Sequence, residues 1–318
     1  GDSGATILAL GGLLLPALVQ DGYKERFSLG LLTGSGSLGL LFPPALPLIL
    51  YGIVAQEPIE DLFIGGIIPG IVLVTLVALW GMRHGITNKV PRREFTGREA
   101  AAALWEAKWE LAVPLVALVA IFTGFSTVVE AAALTVLYTF VTQVLIHRDI
   151  KPVQDLPRVF TKCVALIGGV ILILGVAMGF SSFMVDAEVP AQILEWVQDN
   201  IHSKLLFLLC LNLFLLLVGC LMDIFSATVV VVPLMVPLGE ACAIHPIHLA
   251  IIFVANLELG YLTPPVGLNL FFASYRFEKP LLSIYRAAVP MLAILGVGVL
   301  LITYIPALTT GLLSVFGR

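Results

Sequence analysis

The chain has 318 residues, of which 59% are hydrophobic and 12% charged, and its formal net charge is −4. Soluble domains carry about 25% charged residues, so the composition is that of an integral membrane protein and excludes an ordinary soluble globule. Strand-period alternation is absent, which argues against a β-barrel, and no basic tract is long enough to make nucleic acid a partner.

Taken in chain order, helical apolar runs are expected at Ala5–Val19, Ser28–Val54, Leu62–Met82, Leu111–Gly124, Ser126–Ile146, Cys163–Met184, Leu205–Leu221, Ala227–Gly239, Leu249–Ser274 and Ile284–Ile305. Most approach the roughly 20 residues that a membrane-crossing helix needs. Before Leu111, the stretch REAAAALWEAKWE (Arg98–Glu110) reads as an amphipathic helix lying on the membrane surface, with Trp105 and Trp109 one turn apart at the interface. A solvent-exposed helix is the alternative. Cys163, Cys210, Cys220 and Cys242 lie in or beside apolar runs without metal-ligand spacing and read as packing residues. Gly1-Asp2-Ser3 is neither an initiator Met nor a basic n-region, so no signal peptide is expected.

Basic residues set the orientation. Of the 17 Lys and Arg, 15 fall in four loops: Lys24 and Arg26; Arg83 to Lys108; Arg148 to Lys162; and Arg276 to Arg286. The loops between carry Glu57, Glu60 and Asp61, then Asp186, Glu188, Glu195 and Asp199, then Glu240, His245 and His248. All four basic loops share the cytoplasmic side if two segments do not cross. Leu205–Leu221 then enters from outside, turns near Asp223–Ser226 and returns as Ala227–Gly239. Ala5–Val19 is the exit arm of a similar hairpin opening inward. Plain crossing helices are the alternative, and they would scatter the basic residues over both sides.

One short signature occurs twice. SLGLLFPP (Ser37 to Pro44) recurs as ELGYLTPP (Glu258 to Pro265), offset by 221 residues. The same offset pairs Pro16 with Pro237, Leu38 with Leu259, Gly39 with Gly260 and Pro69 with Pro290. Broken apolar helices repeated in both halves of a membrane chain point to a transporter's binding site. The expected fold is an all-α polytopic membrane protein of inverted repeats, with two re-entrant helical hairpins and broken helices. Residues 1–84 are expected to be the C-terminal part of the first repeat, 85–110 a cytoplasmic linker, 111–307 the second repeat and 308–318 a short tail. The second repeat has on the order of 100 residues before its hairpin tip that the first lacks, so the chain reads as a fragment.

Four carboxylates, Asp2, Glu130, Asp223 and Glu258, sit in or near apolar segments that hold no Lys or Arg. An unpaired carboxylate there must be protonated, reach water or face a cation. Asp2 and Asp223 can equally cap the helices that follow them, and Glu130 can lie near the outer surface. The interrupted helices are more informative. Pro43-Pro44 and Pro264-Pro265 remove backbone donors and free carbonyls upstream, and unwound backbone in lipid is tolerated only inside protein or around a watery cavity. Its carbonyls and neighbouring hydroxyls are hard oxygen ligands suited to Na⁺. One Na⁺ site is expected from Ser35, Gly36 and Gly39 with Ser3 at the first hairpin tip. A matching one is expected from Ser226, Thr228, Asn256, Gly260 and Thr263, making two or more coupling ions. Half-helix N-termini suit an anion, so a carboxylate substrate is expected between the unwound segments, near Asp2, Thr6, Thr33, Ser37, Pro43, Asp223, Glu258, Pro264 and Asn269. There is no nucleotide P-loop and no plausible Ser/His/Asp set, so an enzyme is not expected and any pumping is ion-coupled.

At these residues the sequence resembles the large membrane subunit of tripartite ATP-independent periplasmic (TRAP) transporters. The matching stretches are GDSGATILALGGLLLPAL, TGSGSLGLLFPPALPLILYGIVA, FIGGIIPG, STVVEAAALTVLYTF and NLELGYLTPPVGLNLF. Around Glu130 the family pattern usually reads TPTEAA, where this chain has STVVEAA, a looser match. The resemblance implies an ion-transporter-superfamily-like fold with scaffold and mobile domains, elevator motion and Na⁺ coupling. It also implies a place in the bacterial inner membrane and two partners, a small four-helix membrane subunit and a periplasmic substrate-binding protein. Substrates of the family are organic acids such as C4-dicarboxylates or sialic acid. A stand-alone divalent-anion/Na⁺ symporter is the nearest rival, and an intramembrane enzyme using the buried carboxylates a more distant one.

Overall fold

The computed structural model of the protein describes residues 3–91, 96–124, 126–188, 192, 195 and 203–315. Regular structure among them is helical throughout. The first half holds α1 (Ser3–Gln20), α2 (Glu25–Ser35), α3 (Leu46–Ala55), α4 (Ile59–Thr87), α5 (Gly97–Glu106), α6 (Lys108–Phe122) and α7 (Val128–Phe140). There follow α8 (Leu156–Asp186), α9 (Lys204–Leu221), α10 (Ile224–Ala241), α11 (Pro246–Gly260), α12 (Leu268–Phe277), α13 (Leu281–Tyr304) and α14 (Ala307–Val315). Among the described residues, five helical stretches are long and apolar enough to cross a membrane: Ile59–Thr87, Val128–Ile146, Lys204–Leu221, Ile224–Ala241 and Leu281–Tyr304. The chain divides into two compact units, one of Gly1–Pro91 with Ala177–Arg318 and one of Arg92–Val176.

The smaller unit centres on α6 packed against α7. The Tyr138 hydroxyl donates to the Trp109 carbonyl at 3.1 Å, and α7 opens with a capping box in which Thr127 and Glu130 bond reciprocally. Glu130 is therefore a cap residue, its carboxylate accepting from the Thr127 backbone N–H at 2.8 Å. The amphipathic stretch is shorter than the sequence suggests. It ends at Glu106, because Ala107 leaves helical geometry (φ −84°, ψ 10°), and Trp109 belongs to α6. The Lys108 ammonium nevertheless stands over the Trp105 ring at 3.9 Å and near the Trp109 ring at 5.6 Å.

The larger unit carries the repeat, and the backbone follows it closely. The left-handed residues Gly22 and Ala243 end the turns after α1 and α10, at the 221-residue offset. Lys24 and His245, offset equally, precede α2 and α11 with nearly equal angles (φ −64°, ψ 134° against φ −61°, ψ 132°). Each of these helices stops short of its proline pair, and Pro43-Pro44 and Pro264-Pro265 are both cis. Past the prolines the offset becomes 222: Gln56 and Glu278 close α3 and α12 in left-handed conformation, and Pro58 and Pro280 precede α4 and α13, so Pro69 and Pro290, paired at 221 in the sequence, are one residue out of register in their helices.

The two copies exchange partners. α1 packs on α12, and its counterpart α10 packs on α3. Likewise α2 packs on α13, and α11 on α4. One such core joins Ile7, Leu29, Leu32, Leu270, Ala273, Phe277, Ile284, Ala287 and Ala288, drawn from α1, α2, α12 and α13. α11 is the most enclosed helix, buried at every position from Ile247 to Gly260. A helix apolar on nearly every side can bury all round, which makes Glu258 on it conspicuous. Residues 307–315, in the region expected as a tail, form α14, which packs on α4 and buries Thr309.

Candidate functional site

At the first break α2 ends at Ser35, a 3-10 turn covers Leu38–Leu40, and α3 starts at Leu46. The hydroxyls of Thr33 and Ser35 donate to the Leu29 and Leu31 carbonyls at 2.6 and 2.7 Å. Their protons are spent within the helix, which leaves oxygen lone pairs as the only further capacity. The start of α1 lies against this break: a Cβ on Gly36 would meet Ile7 Cγ1 at 2.6 Å and the Ser3 carbonyl oxygen at 3.5 Å. Ser3 and Gly36 are thus brought together. Ser35 is half-buried beside them, whereas Gly39 is exposed between the buried Leu38 and Leu40. The first turn of α1 also touches α12, since a Cβ on Gly4 would lie 2.8 Å from the Phe272 ring. Thr6 is half-buried in that turn, Pro43 is half-buried at the break, and Asp2 lies outside the described residues.

At the second break α11 ends at Gly260 and α12 begins at Leu268 after Gly267, whose φ is +59°. The tip between α9 and α10 sits against it. The Gly267 N–H donates to the Cys220 carbonyl at 3.2 Å, and the Ile224 N–H to the Tyr261 hydroxyl at 2.7 Å. Asp223 caps α10: one carboxylate oxygen accepts from the Phe225 and Ser226 N–H groups at 2.9 and 3.0 Å, the other from the Ser226 hydroxyl at 2.6 Å. Thr228 and Thr263 donate back to Ile224 and Leu259 at 2.6 and 3.1 Å. The Asn256 amide nitrogen is engaged elsewhere. It donates to Asn212 Oδ1 at 2.6 Å and to the Ile252 carbonyl at 2.8 Å, and the Thr303 hydroxyl shares the same Asn212 oxygen at 3.0 Å. Pro264 is exposed.

Unsatisfied polar atoms concentrate at these breaks. Among the described residues, seven buried side-chain nitrogen or oxygen atoms have no hydrogen-bond partner. Five of the seven belong to three residues: Ser37 Oγ, both carboxylate oxygens of Glu258, and both amide atoms of Asn269. All three side chains are at most 1% exposed. Leaving one such group unpaired costs about 1–3 kcal/mol, so a cluster of them is a place where something else is expected to bind. The atoms also suit different tasks. Asn269 and Ser37 can donate to an anion, while ionised Glu258 can only accept and needs a proton or cation beside it.

Asn212, Tyr261 and Thr303 were not singled out in the sequence, and His248, expected in an outer loop, lies buried inside α11 at 2% exposure. Asn212 was visible as the single amide in the apolar run of α9. His248 Nδ1 lies 2.8 Å from the Thr309 hydroxyl and its Nε2 3.2 Å from the Thr303 carbonyl, a bond that only the folded chain reveals.

For Na⁺, the donors present fit the chemistry. No group of three His, Cys, Asp or Glu able to hold a metal forms among the described residues. What the breaks offer is neutral hydroxyl and carbonyl oxygen, the hard and weakly held donor type that an alkali cation takes.

Five apolar spans, two interrupted helices and buried unpaired polar atoms at both interruptions define an all-helical multi-pass membrane protein. Residues 1–308 match the family model described as "Tripartite ATP-independent periplasmic transporter, DctM component". The chain belongs to this family, which consists of transporter permeases rather than enzymes. It is 34% identical to the isethionate TRAP transporter permease protein DctMQ of Oleidesulfovibrio alaskensis, over 97% of this chain and 49% of that one. It is 33% identical to the C4-dicarboxylate TRAP transporter large permease protein DctM of Pseudomonas aeruginosa, over 98% of this chain and 73% of the relative. With the ectoine/5-hydroxyectoine TRAP transporter large permease protein UehC of Ruegeria pomeroyi the identity is 31%, over 96% of this chain and 71% of the relative.

Proposed function

We propose that this chain is the membrane-spanning part of a Na⁺-coupled importer of an organic acid in a bacterial inner membrane. The substrate is a carboxylate, held between the two breaks by Ser37 and Asn269 with Thr6, Thr33 and Asp223 nearby and Pro43 and Pro264 keeping the backbone open. The observation that carries this reading is the clustering of unpaired buried polar atoms at both breaks. Ser3, Ser35, Gly36 and Gly39 supply one Na⁺ site, and Ser226, Thr228, Asn256, Gly260 and Thr263 the other. Glu258 serves as the acid whose charge a bound cation or a proton offsets.

The exchange of helix partners between the copies supports a two-fold relation, as inverted repeats have. Residues 1–84 and 111–307 are assigned to the two repeats, with 85–110 as their cytoplasmic linker. α9 and α10 form one re-entrant hairpin, α1 is the exit arm of the other, and the larger unit is the part that carries substrate in an elevator motion. The relatives' names specify isethionate, C4-dicarboxylates and ectoine, which supports a small organic acid as cargo. The proposed partners are a small four-helix membrane subunit and a periplasmic binding protein. The latter presents captured substrate at high local concentration, so a modest intrinsic affinity suffices and release is easy.

The test is uptake of labelled C4-dicarboxylate into proteoliposomes holding the full-length subunit and its small partner. Uptake is expected only with an inward Na⁺ gradient and an added binding protein. Uptake indifferent to both would overturn the proposal, and uptake needing Na⁺ alone would make the protein a stand-alone symporter.

A further inference from the structure

The geometry points to a binding site for an anionic glycerophospholipid in a crevice between the start of α2, the end of α4 and the first turns of α13. Two adjoining hollows of about 410 and 370 Å³ share Trp80 and His84. Both fall in the size range of small-molecule sites, about 300–1,000 Å³. Lys24 and Arg26 line one hollow and Arg83 the other, and no carboxylate lines either. Of the nearby acids, Glu25 is engaged by Lys279 at 2.7 Å. The Arg26 guanidinium is held by its bond to the Arg286 carbonyl at 2.9 Å.

The walls are of a different character from the rim. The Phe27 ring stacks on the His84 ring with centroids 3.7 Å apart and packs against Trp80 at 4.7 Å. Pro290 and Ala287 of α13 complete the apolar side. Leu79, Met82 and Ile86 on α4 and Val289 on α13, on the same helices as the lining residues, stand exposed, as they would facing hydrocarbon. His84 Nε2 is one of the two buried unpaired atoms lying outside the helix breaks, and it can donate to a headgroup oxygen as the neutral ring. Three exposed cations, an apolar aromatic wall and exposed apolar side chains on the same helices match a molecule with a phosphodiester at one end and an acyl chain at the other. Basic pockets between membrane helices commonly hold such headgroups, each surface cation adding attraction. A soluble anion would use the rim and leave the wall bare. This inference is independent of the transport reading, because it needs only that the chain spans a membrane.

The experiment is native mass spectrometry of the full-length, delipidated protein titrated with phosphatidylglycerol, phosphatidylcholine or glycerol phosphate. Phosphatidylglycerol is expected to bind about tenfold more tightly than phosphatidylcholine, and glycerol phosphate not measurably. Lys24→Gln with Arg83→Gln should erase the preference, while the control pair Lys151→Gln with Arg158→Gln should keep it. Trp80→Ala should weaken both lipids alike. Equal binding of the two lipids, a preference that survives Lys24→Gln/Arg83→Gln, or glycerol phosphate binding as well as the lipid would each overturn the assignment.

Discussion

Gly219 and Gly260 meet backbone to backbone: a Cβ on Gly260 would lie 2.6 Å from the Gly219 Cα, closer than real Cβ contacts come. This approach lets α9 reach α11 near the hairpin tip, with Cys220 accepting from Gly267 across the break. Gly260→Val must push two backbones apart, an overpacking cost of about 1–3 kcal/mol, and should lower the melting temperature in detergent. Gly296→Ala is the control, because its Cβ would meet only Leu259 Cδ2, at 3.9 Å. Equal melting temperatures for the two variants would contradict this packing.

Asp223 separates capping from charge. Asp223→Ala loses the cap of α10 and should cost about 0.5–2 kcal/mol. Asp223→Asn keeps an acceptor for the Phe225 and Ser226 N–H groups and should melt like the wild type. If the carboxylate serves the transported charges, the Asn variant will still lose most Na⁺-driven uptake. Uptake that follows stability alone would reduce Asp223 to a cap.

The Asn212–Asn256 pair is suited to a double-mutant cycle. Each single change to Ala strands a buried partner, and a coupling of about 0.5–3 kcal/mol is expected between contacting residues. A second Na⁺ site should also give a Hill coefficient above one. Wild-type uptake by Asn256→Ala, together with hyperbolic Na⁺ activation, would count against that site.

Gly36→Val places side-chain atoms where Ile7 and the Ser3 carbonyl stand. Na⁺-driven uptake should vanish. Adding Ile7→Ala makes room and should recover thermal stability without recovering uptake. Full recovery of uptake would mean that Gly36 matters for packing only.

Charge movement gives the last prediction. A dianion needs two Na⁺ for neutrality, and each further charge is worth about 2.3 kcal/mol per 100 mV. With more than two Na⁺ per dicarboxylate, substrate addition to the assembled complex should evoke an inward current that grows with negative voltage. A cationic or uncharged substrate would end the carboxylate reading.

Much of this architecture was legible in the residues. Paired prolines and glycines are local signals, and with the apolar runs they located the breaks and nearly every helix. Ser37, Glu258 and Asn269 stood out because polar groups in apolar runs are expensive. Two kinds of feature were hidden. Where a helix ends by a small change at a residue like Ala107, composition carries no mark. Where a polar group is satisfied by a distant helix, as Asn256 is by Asn212, the partner is fixed only by tertiary packing. The register markers Gly22 with Ala243 and Pro58 with Pro280 were present in the sequence, but the shift from 221 to 222 masked the latter pair.

The exchange of partners between the copies has a consequence for biosynthesis. α1, α2 and α3 emerge before much of the surface that covers them, which belongs to α12, α13 and α10, made far later in the sequence. Folding of the larger unit therefore waits on contacts of very high sequence separation, the slow kind. Until those later helices are inserted, the earlier ones have only each other and lipid to pack against. A first half expressed by itself would lack its mates, whereas two halves supplied as separate chains in one membrane could still find each other.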